Sequence, residues 1–377
     1  MTPTSPQRLF IQRGQLTEAR LGPDPDAPAA CALTHGQARL AVERFALTAN
    51  NITYAAFGEA MKYWQFFPSG DAALGCLPVW GFASVVESRV DGLAVGRRVW
   101  GYYPAGSYLV VTPSRVSAAG FVDGAPHRQE LAAVYNQYSF CDADPGWKPE
   151  AEGLQAVLRP LFTTSFLIDD FLAEADFFGA EQVLLSSASS KTAFGTAHCL
   201  SLRRGAPGAP KIIGLTSPGN LAFTRSLGCY DEVRSYDEVA AMPASTASVY
   251  VDFAGNAALR LAVHSHFGDQ LRYSSSIGGT HWEGLGSARD LPGPRPTLFF
   301  APAQINKRSA PPPHGWGSAE LQRRLAVAWA GFIAQVDGGG WVRISEQAGA
   351  AALLSAYGEL LAGRVDARQG LMLSLQV

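Results

Sequence analysis

The stretch Glu181-Gln182-Val183-Leu184-Leu185-Ser186-Ser187-Ala188-Ser189-Ser190-Lys191-Thr192-Ala193-Phe194-Gly195 decides how the chain is read. A short apolar run ends in small hydroxylated residues and then resumes at helical spacing, which predicts a buried strand, a tight turn and a helix. The first N–H groups of a helix have no intrahelical partner and its dipole favours negative charge, so a phosphate suits such a turn. That is the geometry of a dinucleotide site. The glycines of the usual G-x-G-x-x-G fingerprint are missing: Ser187, Ser189 and Thr192 stand at that spacing, and only Gly195 follows. An ordinary strand–helix unit has this pattern too, so its neighbours have to arbitrate.

Residues 211–217 form a second strand pattern, residues 221–227 a helix closed by Gly228, residues 248–255 a further strand and turn, and residues 271–278 another strand ending in small residues. Strands alternating with helices predict a parallel, doubly wound α/β sheet. Ligands of such sheets sit beyond the carboxyl ends of the strands. Ser187, Thr216, Ala254, Ile277 and Gly278 are therefore expected to line one crevice.

With 377 residues, 47% of them hydrophobic, the chain has material for two cores. A net charge of −2, with no basic block, argues against a nucleic-acid partner. The longest apolar runs are strand-sized and broken by Gly, Pro or charge, which predicts no membrane-spanning helix, and residues 1–9 lack the apolar core of a signal peptide. Cys31, Cys76, Cys141, Cys199 and Cys229 are scattered without paired spacing, which suggests neither a disulfide framework nor a zinc cluster. A reduced cytoplasmic protein is expected.

Up to about Arg115 the chain is rich in period-two runs separated by glycine, among them residues 38–45, 84–87 and 108–111, with a turn at Asp91-Gly92. These predict a β-rich part. Residues 118–152 read as a long irregular connection, of the length that is often functional. After the strand–helix array come a Pro-rich bridge over residues 290–317, an amphipathic helix over 320–336, a strand at 341–344, a helix at 348–362 and a last strand at 371–377.

The order of these parts, and several local stretches, resemble the medium-chain dehydrogenase/reductase superfamily. Residues 77–88 followed by 95–101 are similar to its strand, glycine turn and next strand. Thr48-Ala49-Asn50-Asn51-Ile52-Thr53-Tyr54, with Gly58 beyond, resembles its active-site segment. Residues 223–233 and the ending from Leu360 to Leu373 are similar to its later stretches. The resemblance implies a Rossmann-type domain over residues 155–305 and a β-rich GroES-like domain over residues 1–154, completed by 306–377. Zinc-dependent members carry Cys, His and Glu ligands near positions 50–54 and 80–82. This chain has Trp80, Gly81 and Phe82 there, short of the three or four ligands zinc needs. The resemblance is thus to the zinc-independent quinone/enoyl reductase-like branch, and to a divergent bacterial group within it.

An acidic residue at the end of the second strand binds an unphosphorylated ribose. Here Thr216 and Ser217 occupy that place, with Arg225 about two turns on, which points to NADPH rather than NADH. Lys191 either adds charge to the phosphate site, with Ser187, Ser189, Ser190 and Thr192, or is a solvated first-turn residue; Arg225 has the same two readings. Thr163 and Thr164 are placed against the nicotinamide ribose. With no metal, a developing negative charge needs O–H and N–H donors. Tyr54 is the first candidate proton donor, Asn50 and Asn51 orient a carbonyl or amide, and Tyr63, Trp64 and Phe67 form an aromatic wall. The competing reading is that these aromatics are packing. Of the seven histidines, His264 and His266 suit a surface role, and His281 follows a strand end that should face the cofactor.

The resemblance implies an NADPH-dependent reductase of an activated double bond, acting on an enone, enoyl thioester or quinone. A carbonyl reductase on the same fold and a catalytically inactive nucleotide-binding sensor or scaffold are the alternatives, because reaction class does not follow from fold. A small-molecule substrate and a homodimer, paired through the apolar segment 298–301, complete the expectation.

Overall fold

The computed structural model describes residues 5–144, 146–277 and 291–376. The chain divides into two units, residues 1–157 with 343–377, and residues 158–342.

The spine of the first unit is the almost wholly buried strand Ala38–Leu47. It pairs antiparallel with Pro78–Ser88 along one edge, while Tyr108–Val111 and Gln369–Ser374 share the other. Arg98–Pro104, Gln137–Phe140, Gly120–Asp123 and Pro113–Ser114 extend the sheet outward from Pro78–Ser88, and Arg343–Ala348 lies parallel to Gln369–Ser374 at the far side. Gly81 is required where the strands cross, since a Cβ there would run into the Arg44 carbonyl beside the bulge at Val42 and Arg44. A second sheet joins Ala19–Pro23, Gln7–Gln12 and Leu74–Cys76.

The connection expected to be irregular is partly sheet. Gly120–Asp123 and Gln137–Phe140 are short strands inside it, and the second of two 3-10 turns between them, Ala133–Asn136, carries Tyr135. Four-residue strands leave too few alternations to register as a period. Gly120 allows their approach, because a Cβ there would strike the Tyr138 carbonyl.

In the second unit the strands run in parallel in the order Glu232–Ser235, Lys211–Thr216, Gln182–Leu185, Ser248–Asp252, Leu271–Ser276 and Thr297–Leu298. Numbered along the chain this is 3-2-1-4-5-6, the doubly wound order whose direction reverses between the first and fourth strands. Leu184, Ile213, Tyr250, Val263 and Phe267 belong to one buried cluster that packs Ala257–Phe267 on the sheet. Ser318–Gly339 packs through Phe332, whose ring stacks 4.4 Å from Phe162 and 6.2 Å from Phe194. Those contacts tie this helix to the second unit. The Pro-rich bridge holds one helix, Ala301–Ser309, fixed by a two-pronged ion pair of Arg308 with Asp170. Of the segment at 298–301, only the exposed Leu298 belongs to the two-residue edge strand Thr297–Leu298, and Ala301 opens the following helix.

Candidate functional site

The second unit supplies the strand–turn–helix at the reversal point. Ser186, fully buried, links the first and fourth strands: its hydroxyl donates to Asp252 Oδ1 (2.9 Å) and accepts from the N–H groups of Phe253 (2.9 Å) and Ala254 (3.1 Å). Asp252, also fully buried, accepts from Gly255 N–H (3.0 Å) and, at its other oxygen, from Nε and Nη2 of Arg260 (3.0 and 2.9 Å). A buried carboxylate needs such a full set of donors. None of Ser186, Asp252 and Arg260 stands out in the sequence. The signal was an acid closing an apolar strand, with an arginine two turns later.

Ser187 then turns the backbone into the left-handed region, φ +49°. Its carbonyl accepts from Ser190 N–H (2.7 Å), and Ala188 N–H donates to the Leu215 carbonyl (3.0 Å). The Tyr230 hydroxyl donates to the Ala188 carbonyl (2.7 Å). Gly214 makes this close approach possible, as a Cβ there would lie 3.0 Å from that of Ala188 and 2.9 Å from the Tyr230 ring. Ser190 caps the helix Lys191–Ser201, accepting from Ala193 N–H at 3.4 Å. Ala188 and Ser189 are buried, while Ser187, Ser190, Lys191 and Thr192 are half-buried. The one retained glycine serves packing: a Cβ on Gly195 would lie 2.6 Å from Ser165 Oγ on the neighbouring helix.

Thr216, buried at the end of the second strand, has a hydroxyl with no partner among the described residues. Ser217 accepts from the Asn220 amide (3.2 Å), and Arg225 is exposed, its guanidinium reaching the Val233 carbonyl (3.4 Å). Thr163 and Thr164 donate one turn back within their own helix, to the carbonyls of Arg159 (2.9 Å) and Pro160 (3.3 Å). Ala254 is buried beside Asp252, and Ile277 N–H donates to the Asp252 carbonyl (2.9 Å). Gly278 and His281 lie outside the described residues. His264 is not a surface group as expected. It is fully buried, held at Nδ1 by the Pro292 carbonyl (2.8 Å) and at Nε2 by Ser274 (2.9 Å), because its helix face packs on the sheet. His266 reaches the Met242 carbonyl (2.8 Å).

The first unit gathers phenols. Helix Ala49–Ala56 begins at Thr48, where a reciprocal capping box fixes it: Asn51 Oδ1 accepts from Thr48 N–H (2.7 Å), and its amide donates to the Pro78 carbonyl (2.7 Å). Asn51 is therefore committed to the backbone. Tyr54, one turn on, is buried, with ring centroids 4.7 Å from Tyr63, 5.6 Å from Tyr102 and 6.2 Å from Tyr135. Its hydroxyl accepts from Trp80 Nε1 (3.2 Å). Burial pushes the Tyr54 phenol well above its ordinary range, against the pull of hydrogen bonds from Trp80, Asn50 and Tyr135. It is a protonated donor at neutral pH. Tyr63 and Phe67 line this cluster, Phe67 lying 5.6 Å from Tyr102 and 4.8 Å beneath the Arg128 guanidinium. Trp64 fills the gap between Gly58 and Gly75, whose Cβ positions its indole would occupy. Trp80, Tyr102 and Tyr135 were not singled out as site residues in the sequence, since strand alternation gives no sign of which aromatics meet.

All five cysteines are free thiols, and the described residues contain no group of three His, Cys, Asp or Glu that could hold a metal. No helix among them is long and apolar enough to cross a membrane.

A family model described as a protein of unknown function, DUF2855, matches residues 45–366. The chain belongs to the DUF2855 family. No curated protein matches it. Among solved structures the DUF2855 chain is similar to CurA from Vibrio vulnificus in complex with NADPH (12% identity, 98% of each chain covered, TM-score 0.58). It is also similar to the yhdH oxidoreductase from Salmonella enterica in complex with NADP (12% identity, 98% of this chain and 99% of that one, TM-score 0.52). A third is the CurK enoyl reductase (13% identity, 98% and 99%, TM-score 0.52). At such identities the likeness shows the fold, and that fold is the medium-chain dehydrogenase/reductase type.

Proposed function

We propose that this DUF2855 protein is an NADPH-dependent, zinc-independent reductase of an activated carbon–carbon double bond. The observation that carries the reading is the turn at the sheet's reversal point. Ser187 adopts the left-handed backbone that a fingerprint glycine would otherwise supply, and Ala188 and Ser189 are buried, which supports a phosphate turn without those glycines. Ser187, Ser190, Lys191 and Thr192 would hold the pyrophosphate, and the Thr216 hydroxyl, unpaired among the described residues, would with Ser217 and Arg225 hold a phosphorylated ribose. Two solved neighbours of the same fold are described with NADPH or NADP, which supports that choice.

NADPH supplies a hydride when bound. The chain's own part is to place a proton donor, and the protonated Tyr54 among uncharged aromatics suits it. An enone, enoyl thioester or quinone fits so apolar a surrounding, and CurK, described as an enoyl reductase, shares the fold. Thr163 and Thr164 retain acceptor lone pairs for the nicotinamide ribose, Ala254 and Ile277 complete the cofactor's surroundings, and Asn50 orients the substrate carbonyl. Tyr63 and Phe67 face the substrate, while Trp64 and Asn51 support them. We read the second unit as the cofactor domain and the first as the catalytic one, in a cytoplasmic homodimer.

Titration of the purified protein with NADPH and NADH, followed by nicotinamide fluorescence, tests this. NADPH is expected to bind more tightly, and R225E to weaken NADPH by about tenfold, the low end for a hydrogen bond to charge because Arg225 is exposed, with NADH little changed. Binding of neither nucleotide overturns the reading. Binding of NADPH without turnover of any enone, quinone or carbonyl compound selects the sensor.

A further inference from the structure

Trp80 stands on strand Pro78–Ser88, half-buried, its indole stacked on Trp100 with centroids 5.6 Å apart and planes within 20°. Stacking fixes the ring, and its Nε1 lies 3.2 Å from the Tyr54 hydroxyl. An indole N–H can only donate. The Tyr54 oxygen is therefore the acceptor of this bond, and the phenol's single hydrogen is directed elsewhere. Arg128, the cation over the neighbouring Phe66 and Phe67, has only N–H donors and cannot accept it; its Nη1 reaches Asp123 (3.2 Å) and the Tyr138 hydroxyl (3.2 Å). The remaining neighbours of the Tyr54 hydroxyl are neutral, Asn50 and Tyr135, and Tyr135 leads on to Tyr63 by a long hydroxyl contact of 3.4 Å.

We propose that Trp80 is a positioning residue that makes Tyr54 a one-directional proton donor, an inference that rests on the reductase reading above. With NADPH bound as the hydride source, reduction at the β-carbon would leave the substrate as an enolate. Its α-carbon forms a C–H bond with the Tyr54 proton as the O–H bond breaks, and the electron pair stays on the Tyr54 oxygen. The Trp80 N–H remains hydrogen-bonded to that phenolate, charge-assisted at this moment and neutral before it, so the contact is stronger when the charge is present. Water returns the proton.

The test uses W80F, which keeps a ring against Trp100 and removes the N–H, together with Y54F and the double variant, in the full chain. With NADPH and a cyclic enone, Y54F is expected to lower kcat about 100-fold and W80F about tenfold, each with KM little changed. In the double variant the W80F loss disappears, kcat matching that of Y54F within about twofold, because Trp80 acts only through Tyr54. Of the eight tryptophans, the indole N–H proton resonance lost in W80F is expected to move upfield in Y54F without any nucleotide present. A W80F loss as large in the Y54F background as in the wild type, or a Trp80 resonance that Y54F leaves in place, overturns the proposal. Should W80F not fold, assignment of that resonance by selective labelling and its response to Y54F decides. A wild-type protein that reduces no enone, enoyl thioester or quinone while the resonance moves sinks the reductase reading and leaves the Trp80–Tyr54 polarity standing.

Discussion

Asp252 shows how much one side chain carries. It is fully buried, and its oxygens accept from Ser186, Gly255 and the Nε and Nη2 of Arg260, so it joins the first strand, the fourth strand and the helix that follows. D252A would leave Arg260, itself buried, as an uncompensated cation and Ser186 without its acceptor. Removing one partner of a buried pair costs about 3–5 kcal/mol, whereas removing both costs far less. D252A is expected to lose that amount in urea unfolding, and D252A/R260M to recover much of it. A D252A protein as stable as the wild type would show that the bond set at the reversal point is not what joins the two half-sheets.

Among the elements, the helix after the phosphate turn is the most closely constrained. Gly195 sits where Lys191–Ser201 meets Glu152–Glu174, and an added methyl would lie 2.6 Å from Ser165 Oγ and 3.1 Å from its Cβ. Ser165 cannot simply turn away, because it is fully buried and its hydroxyl donates to the carbonyls of Leu161 (3.0 Å) and Thr192 (2.8 Å). Alanine gains up to about 1 kcal/mol of helix propensity over glycine, while overpacking costs about 1–3 kcal/mol. G195A is therefore expected to lower the thermal midpoint, and S165A/G195A to restore part of it. An unchanged midpoint in G195A would mean that the two helices separate freely, and that the glycine is kept for something other than packing.

For the whole molecule the clearest expectation concerns acid. Burial holds His264 and His198 below their ordinary range, and both lie in the second unit. An unfolded histidine titrates near pH 6.5. Above that value both are neutral in both states and the full stability is present. As pH falls through about 6.5 the unfolded chain takes up protons before the folded one, so stability drops. The loss is expected to reach up to about 1 kcal/mol per histidine by about pH 5.5, read as a falling urea midpoint, with a smaller fall in H264Q. Asp24 and Asp169, raised by burial, act in the opposite sense and lower, in the carboxylate range.

The amino-acid sequence determined the fold class, because its signals are local. Apolar periods of two and of 3.6, and the small residues 186–190 between a strand and a helix, are properties of neighbouring residues that no tertiary contact has to create. Tyr54 was legible for the same reason: it lies one turn after the capped start of a helix. The tertiary structure alone decided which side chains meet. Ser186 finds Asp252 66 positions away, Trp80 finds Tyr54 across 26, and Tyr63 finds Tyr135 across 72. It also decided what a residue is free to do. Asn51 and Trp64 belonged to the expected site by position, yet the one is spent on a cap and a carbonyl and the other on two glycine gaps. A side chain's partners depend on strand register and helix packing, which collect contributions from the whole chain and leave no local trace.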